Sequence, residues 1–314
     1  MKGIVLAVMG SYATASGGTA AATFQGLFAF GFDGTTEYST KNMVSNTGVI
    51  ATDVTGVGTI RDSLAAATYG GDKAIFGYGT ATADYSLTNL VSNTGVVAAD
   101  TTGVGTARYG LSATGYGIDK AIFGYGITTA GLTVQSMSNL VSNTGVVSTD
   151  TTGVGTARRY SAAVRYGGDK GIFGYGASSG TTYYSVTNLV SNTGIIAADT
   201  TGIVTNRYGL AACTYGGDKA IFGYGMTASY FSVTNLVSNT GVVAAIVTSA
   251  TPPRSLLSAT GYGGDKGIFA FGMTSSTVYV STSNLVSNVG VVAASTTGVG
   301  TIRAYIAAAG FSLT

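Results

Sequence analysis

The sequence contains no histidine, no tryptophan, one cysteine and one glutamate. Without histidine the chain lacks the commonest general base and metal ligand, and it cannot form a serine triad of the usual kind. A single cysteine, Cys213, excludes an intrachain disulfide, and its place among small residues in "LAACTY" indicates a packed core thiol. We therefore predict that the protein is not an enzyme and uses no cofactor or metal.

Charged residues are also scarce. They make up 9% of the 314 residues, against an average of about 25%, and the net charge is +2. So small a charge predicts no nucleic-acid partner, and no apolar run approaches the roughly 20 residues of a membrane span. The surface must instead consist of Ser, Thr, Asn, Tyr and Gly, which suits contact with other protein subunits.

The chain is rich in glycine, with 49, and it repeats itself. The stretch "YGGDKAIFGYG" from Tyr69 to Gly79 returns in close variants from Tyr116, Tyr166, Tyr215 and Tyr262. An arginine closes each copy, and successive arginines lie 47 to 50 residues apart: Arg61, Arg108, Arg158, Arg207, Arg254 and Arg303. A period of this length is typical of solenoids, propellers and arrays.

Each repeat is predicted to contain four short strands. In the second repeat they are "SLAAATY", "KAIFGYG", "SLTNLVSN" and, from Val96 to Arg108, "VVAADTTGVGTAR". Glycines and "NTG" provide the turns, and the segment after the second strand varies between repeats, as surface loops do. Helical periodicity is absent. The pattern predicts an all-β fold, a single β-propeller domain over residues 1–314 with four-stranded antiparallel blades.

The two ends predict how the ring closes. First strands begin near seven positions, namely Thr19, Asp62, Tyr109, Tyr160, Tyr208, Ser255 and Ala304, whereas third strands number six. The C-terminal "RAYIAAAGF" lacks a second strand, and "KGIVLAVMG" from Lys2 to Gly10, although it imitates a secretory signal, aligns with "KGIFAFGM". We predict repeats over 17–61, 62–108, 109–158, 159–207, 208–254 and 255–303, and a seventh, closing blade from 1–16 and 304–314. Six blades is the alternative.

The order of these features resembles the kelch-type propellers. An arginine, a small apolar strand, a glycine turn, an "IF" or "LF" strand ending in glycine, a variable loop and "NLVSNTG" follow one another from Thr19 to Phe311. The chain departs from the kelch pattern in having Val96 and Val97 where a tryptophan usually opens the fourth strand. The neutral, Gly/Thr-rich copies are also similar to propeller repeats of marine bacteriophage structural proteins. This resemblance implies a virion component.

Two sets of residues are candidate binding sites. The arginine ring (Arg61, Arg108, Arg158, Arg207, Arg254 and Arg303) is expected on a channel face, where it either bonds neighbouring blades together or forms an anion site. Aromatic residues of the variable loops suit recognition, because they combine flat apolar area with hydrogen bonding. They are Tyr183, Tyr184, Tyr230, Phe231 and Tyr279.

These observations predict a structural or interaction propeller, a virion component such as a tail, fibre or capsid decoration that docks on neighbouring subunits. The alternative is a lectin-like protein that binds a glycan or cell-surface receptor, with an extracellular or cell-surface location. Absence of tryptophan counts against the alternative, although tyrosine can also stack on sugars.

Overall fold

A computed structural model describes residues 23–202, 205–249 and 251–313. The fold is all-β, with many small antiparallel sheets and one 3-10 turn, Ala130–Leu132, in the described chain. Six sheets repeat along the sequence, and we number them one to six. Two short hairpins, Ile127–Thr128 with Thr133–Val134 and Met273–Ser275 with Val278–Tyr279, extend the loops of sheets three and six.

The strands of each sheet follow, with the first strand given first. Sheet one contains Ala307–Leu313, Thr23–Ala29 and Lys41–Val44; sheet two Ala65–Tyr69, Lys73–Gly77 and Thr88–Val91; sheet three Ser112–Tyr116, Lys120–Gly124 and Ser138–Val141. Sheet four contains Ala162–Tyr166, Lys170–Ala177 and Tyr183–Val190; sheet five Ala211–Tyr215, Lys219–Gly223, Val233–Val237 and Val247–Thr248; sheet six Ser258–Tyr262, Lys266–Ala270 and Ser283–Val286.

Second strands form the buried centre of each sheet. In Lys120–Gly124 every residue after the lysine is buried, because a neighbouring sheet packs on either side. Aromatic rings meet at each interface, as where Tyr125 lies 5.1 Å from Phe173, centroid to centroid. A Cβ at Gly124 would lie 2.9 Å from Phe173 Cζ, which explains the glycine between the phenylalanine and tyrosine of "IFGYG".

The predicted fourth strand was largely wrong. In the described residues only sheet five has one, the two-residue Val247–Thr248, while sheet two makes single bridges such as Val91 to Val97 and Thr88 to Thr101. This segment is rich in glycine, alanine and threonine and is mostly exposed. Its polar side chains hydrogen-bond to the neighbouring sheet, as described below. Its backbone pairs with the third strand only at these single bridges and forms no regular ladder.

The first strands contact one another in a closed series of six, from sheet one to sheet six and back to sheet one. At the start of each strand, a backbone N–H donates to the carbonyl of the equivalent residue in a neighbouring sheet, at 2.6–2.9 Å. The six residues have φ between 50° and 62°, so each turns sharply before entering its strand. They are Ser63, Gly110, Tyr160, Gly209, Leu256 and Tyr305.

This arrangement corrects the predicted closing partner. The C-terminal strand Ala307–Leu313 pairs with Thr23–Ala29, in register from Thr23–Leu313 to Ala29–Ala307. Thr23–Ala29 is therefore a second strand, and no first strand begins there; its "LFAFG" ending matches "IFGYG" of the other repeats. Six repeated sheets are present in the described chain, which agrees with the alternative count. Residues 1–16, which include Lys2–Gly10 and were predicted to contribute to the closing blade, lie outside the described residues.

Candidate functional site

The six arginines that end the repeats are buried between neighbouring sheets, with 0–1% of their surface exposed. Arg61 illustrates their contacts. Its Nη2 donates to Asn89 Oδ1 of sheet two at 2.6 Å, its Nε donates to the Tyr78 carbonyl at 2.8 Å, and its guanidinium lies 4.4 Å from the centroid of Phe30 in sheet one. Burial lowers the pKa of Arg61 to about 10.

The other five arginines repeat the bond to asparagine and the contact with an aromatic ring, whereas the Nε bond to a carbonyl recurs only in Arg108. Each donates to the asparagine of the next third strand and lies over an aromatic ring of the preceding sheet. The pairs are Arg108–Asn139, Arg158–Asn188, Arg207–Asn235, Arg254–Asn284 and Arg303–Asn42. The arginines therefore bond sheet to sheet, which is the first of the two roles expected of them, and none of the six side chains is exposed on a channel face. Stacking on the aromatic rings and hydrogen bonding to protein acceptors compensate their desolvation.

An aspartate completes four of these interfaces. Asp150 accepts hydrogen bonds from Asn139 Nδ2 at 2.9 Å and from both the backbone N–H and the hydroxyl of Thr106 in the preceding repeat, at 3.0 and 2.7 Å. Arg108 Nη1 lies 3.9 Å from its carboxylate. We call this Thr–Asn–Asp arrangement the aspartate latch. It recurs with Asp53, Asp100 and Asp199.

Both interfaces of sheet five lack the latch aspartate. Ile246 occupies its position in sheet five, and Ser295, which accepts from Asn284 Nδ2 at 3.0 Å, occupies it in sheet six. Towards sheet six, Pro252 also stands where the latch threonine would be, two residues before the arginine, and it has no N–H to donate. At this interface the threonine and the aspartate are both replaced, whereas at the interface of sheets four and five Thr205 is retained although Ile246 replaces the aspartate.

The two ends of the sheets carry different side chains. At one end, which we call the turn face, lie the "GGDK" and "SNTG" turns. Lys73 there is 2.7 Å from Asp72, and four further Asp–Lys pairs repeat at 2.6–3.3 Å, half-exposed. They bond within their own turns, so they neutralise one another. Cys213 is buried within sheet five, and burial raises the pKa of its thiol, as expected of a core thiol.

Sequence reasoning missed one regular feature of the turn face. The residue after each "SNTG" or "SNVG" turn is β-branched and 61–69% exposed: Val49, Val96, Val146, Ile195, Val242 and Val291. The 47- to 50-residue period would have revealed this set, because a β-branched residue recurs at this position in all six repeats.

At the opposite end, which we call the loop face, the variable loops lie beside the junctions between repeats. Ala65 pairs with Gly77 and Asp62 bridges to Thr80, so the loop after a second strand adjoins the entry to the first strand. The same pairing recurs from sheet to sheet. Residues that vary between repeats are therefore gathered on one face around the ring of six backbone hydrogen bonds.

Five tyrosines form a continuous aromatic cluster on the loop face. Tyr160 lies at its centre, with ring centroids 6.4 Å from Tyr109, 6.2 Å from Tyr208 and 5.9 Å from Tyr305. Tyr183 stacks on Tyr208 at 5.3 Å with an interplanar angle of 2°. All five are partly exposed. We call Tyr109, Tyr160, Tyr183, Tyr208 and Tyr305 the tyrosine cluster.

Three of the predicted partner-binding residues belong to or adjoin this cluster. Tyr183 is a member, while Tyr230 and Tyr279 pack with it around buried Met273. Tyr184 and Phe231 lie elsewhere, near the start of third strands, where their carbonyls accept from the backbone N–H groups of buried arginines at 3.4 and 3.2 Å. The sequence analysis did not single out the junction tyrosines, whose only signal was their repeated place one or two residues after the arginine that ends each repeat.

Two charged residues accompany the tyrosines. Burial raises the pKa of Asp62 to about 6, with a smaller raising effect from Glu37 and a lowering effect from its hydrogen bond to Ser63. Arg159 donates from Nε to the Ser178 carbonyl at 3.3 Å, and its guanidinium lies 5.5 Å from the Tyr160 centroid. The loop face thus combines apolar rings and hydroxyl groups with the base Arg159 and with acids, which are Asp62 and, in the loops after second strands, Asp33, Glu37 and Asp84.

Two cavities follow the axis between the first strands. The one nearer the loop face has a volume of about 120 Å³, and the one nearer the turn face about 290 Å³. Both are lined by the same six alanines, which mark the boundary between them: Ala66, Ala113, Ala163, Ala212, Ala259 and Ala308. In the described part of the chain no cluster of three His, Cys, Asp or Glu residues could hold a metal ion.

Comparison with known proteins supports the fold alone. No protein-family model matches the sequence, and no curated protein matches it significantly. A solved structure titled "Structure of YjhT" is similar, with a TM-score of 0.63 over 83% of this chain and 94% of that one, at 11% sequence identity. An activity cannot be transferred at that identity. Over the described residues, no helix has the length and apolarity needed to cross a bilayer.

Proposed function

We propose that the six sheets are the blades of a closed six-bladed β-propeller, and that the protein is a non-enzymatic interaction module docking on neighbouring subunits. The closed series of first-strand contacts and the six backbone hydrogen bonds support the ring. The resemblance to bacteriophage repeats supports a place in the virion, as a tail, fibre or capsid decoration.

The tyrosine cluster carries this proposal. The charges that recur in every blade are either buried between sheets or neutralised within turns, so they offer a partner little. By contrast, Tyr183 and Tyr208 present partly exposed, stacked rings, and Tyr230 and Tyr279 extend the same surface. Such preformed aromatic area is enriched in protein interfaces, because tyrosine loses little conformational entropy on binding.

Glycan or receptor binding is the second candidate, with an extracellular or cell-surface location. One observation favours it. Asp62 and Arg159 lie on the same face as the tyrosines, so rings for stacking are combined with groups that hydrogen-bond to hydroxyls. Only some junctions between repeats carry tyrosine, so the cluster occurs once. A single glycan site is therefore expected, whereas one glycan site in each blade would require six equivalent clusters.

A test compares loop-face and turn-face variants on native particles. Tyr183→Ser and Tyr279→Ser should each reduce retention of the protein during particle sedimentation by about tenfold, the loss expected for an anchor residue of an interface. Val96→Ser, which removes a more exposed apolar side chain from the turn face, is the control and should leave retention unchanged.

Two outcomes would change the assignment. Loss of retention in Val96→Ser alone would move the docking surface to the turn face. A glycan array on which Tyr183→Ser abolishes binding to one sugar class, while particles retain every variant, would replace docking by glycan recognition.

A further inference from the structure

The cavity nearer the turn face contains one side chain that breaks the six-fold repeat. At the fourth position of the first strands stand Thr68, Gly115, Arg165, Thr214, Gly261 and Gly310. All six line the 290 Å³ cavity, and five of them are glycine or threonine. Arg165 is the only long side chain of the set, and it lies on the first strand of sheet four.

The guanidinium of Arg165 is only partly satisfied. Its Nη2 donates to the carbonyls of Gly117 and, at 2.9 Å, Ile118 in the turn of sheet three. Nε is buried without a hydrogen-bond partner, a condition that four of the interface arginines share. Those four also donate from Nη1 to backbone carbonyls, whereas Nη1 of Arg165 donates to none of the described residues. Arg165 therefore lines the cavity with a donor group that no protein acceptor takes up, so the cavity offers a site for an acceptor.

Nearby acids do not supply that acceptor. Asp119 and Asp169 are the carboxylates that interact electrostatically with Arg165, but no ion pair joins either to it in the described chain. Asp119 bonds to Lys120 at 3.3 Å and Asn143 at 3.0 Å, and Asp169 bonds to Lys170 at 2.8 Å. Asp218 and Lys266 at the cavity rim are likewise paired within their own turns. Arg165 is therefore the one cation of the cavity lining without a bonded acid.

The hydroxyl groups around the cavity restrict the ligand further. Thr68 donates its hydroxyl hydrogen to the Gly310 carbonyl at 2.9 Å, and Thr114 and Thr260 donate to the carbonyls of the residues that follow them. A hydroxyl has one hydrogen and two lone pairs, so these oxygens remain able to accept. A matching ligand carries hydrogen-bond donors in addition to its negative charge.

We propose that this cavity binds a small hydroxylated carboxylate, with the carboxylate on Arg165 and its hydroxyl groups donating to the threonine oxygens. A volume of about 290 Å³ is at the lower end of the range for small-molecule sites, roughly 300–1,000 Å³. The site lies at the opposite end of the sheets from the tyrosine cluster. It is therefore independent of the docking proposed above.

Calorimetric titration of the full chain with two matched pairs of compounds tests the proposal. Gluconate is compared with sorbitol, and lactate with 1,2-propanediol, so that each pair differs in its carboxylate. We expect at least one carboxylate to bind and its neutral counterpart to bind at least tenfold more weakly. Arg165→Thr, which installs the residue present at Thr68 and Thr214, should weaken the carboxylate by at least tenfold. Arg159→Thr, on the loop face, should not.

Three results would overturn it. The first is failure of both carboxylates to bind at about 10 mM, which is weaker than the millimolar range of ordinary small ligands. The second is equal binding of a carboxylate and its neutral counterpart, and the third is unchanged carboxylate affinity in Arg165→Thr. If that variant is unstable, Thr214→Val keeps the shape of the lining but removes an acceptor, and it should weaken binding several-fold. Destabilisation of Arg165→Thr with unchanged affinity would show that the arginine only supports the Gly117–Ile118 turn.

Discussion

Replacing a buried interface arginine should unfold the protein at a lower temperature, and two adjacent arginines allow a controlled test. Arg158 is buried, donates to Asn188 Oδ1 at 2.7 Å and the Thr156 carbonyl at 2.9 Å, and lies 3.9 Å from the Tyr125 ring centroid. Arg159, its neighbour in sequence, is partly exposed on the loop face. Arg158→Ala and Arg159→Ala therefore remove the same guanidinium group, once from a buried interface and once from a partly exposed surface.

The magnitude follows from what Arg158→Ala leaves behind. Two hydrogen bonds to a charged group contribute about 1.5–3 kcal/mol each, and a desolvated cation–π contact about 2 kcal/mol. Relief of the buried charge offsets part of this loss, so the net expectation is about 3–5 kcal/mol. With an unfolding entropy of roughly 2.1 cal/mol/K per residue, 314 residues convert this to a fall in Tm of roughly 5–8 °C.

Thermal unfolding followed by circular dichroism, with urea titration at 25 °C, measures both variants against the wild-type chain. Arg159→Ala should stay within about 1 °C, since exposed side chains away from buried networks contribute little. Arg158→Lys keeps the charge but loses the planar fork, and we expect about half the effect. If the two alanine variants have the same Tm, the arginines are not the groups that hold the sheets together.

Further predictions concern the latch, Asp62 and ring closure. Burial raises the pKa of the Asp150 carboxyl, but hydrogen bonds from Thr106 and Asn139 outweigh burial, so the net pKa is lowered. The contribution of Asp150 to folding stability is therefore fully present above the ordinary pKa of 3.8, and it is lost as the pH falls through the lower pKa of the folded state. Asp150→Ala should cost about 1 kcal/mol at pH 7 and less at pH 2.5, by urea titration at both; a pH-independent difference would contradict the latch. The raised pKa of Asp62 has the opposite sign: stability falls as pH rises from about 4 to about 6, so Asp62→Asn should raise Tm at pH 7 and leave it unchanged at pH 3.5. Deleting 307–313 removes the first strand of sheet one and exposes the edge of Thr23–Ala29, so the protein should aggregate. Deleting residues 1–10 removes none of the strands of the six sheets, so cooperative melting should persist. If that deletion abolishes cooperative melting as completely as deletion of 307–313 does, the pairing of Ala307–Leu313 with Thr23–Ala29 is not what closes the series of sheets.

Features that depend on neighbouring residues in sequence could be predicted. The turn at "GGDK" follows from glycines such as Gly70 and Gly71, which adopt φ of 64° and 80°, and the strand "AIFG" follows from its β-forming residues. The repeat period predicted that the six arginines occupy equivalent positions, and each of them donates to the equivalent asparagine. Their environment could not be read from the sequence, because Arg61 bonds to Asn89 and stacks on Phe30, which belong to different repeats.

Local sequence determined the repeat, its turns, the order of its strands and the all-β class, since each depends on contacts within about 50 residues. The tertiary structure alone decided three things. Ala307–Leu313 pairs with Thr23–Ala29 rather than with an earlier segment, and Tyr160 meets Tyr305 across 145 residues of chain. The fourth residues of all six first strands line one cavity, and Arg165 is the only long side chain among them. These contacts arise from closure of the series of sheets, which brings distant positions together through packing that no local pattern encodes.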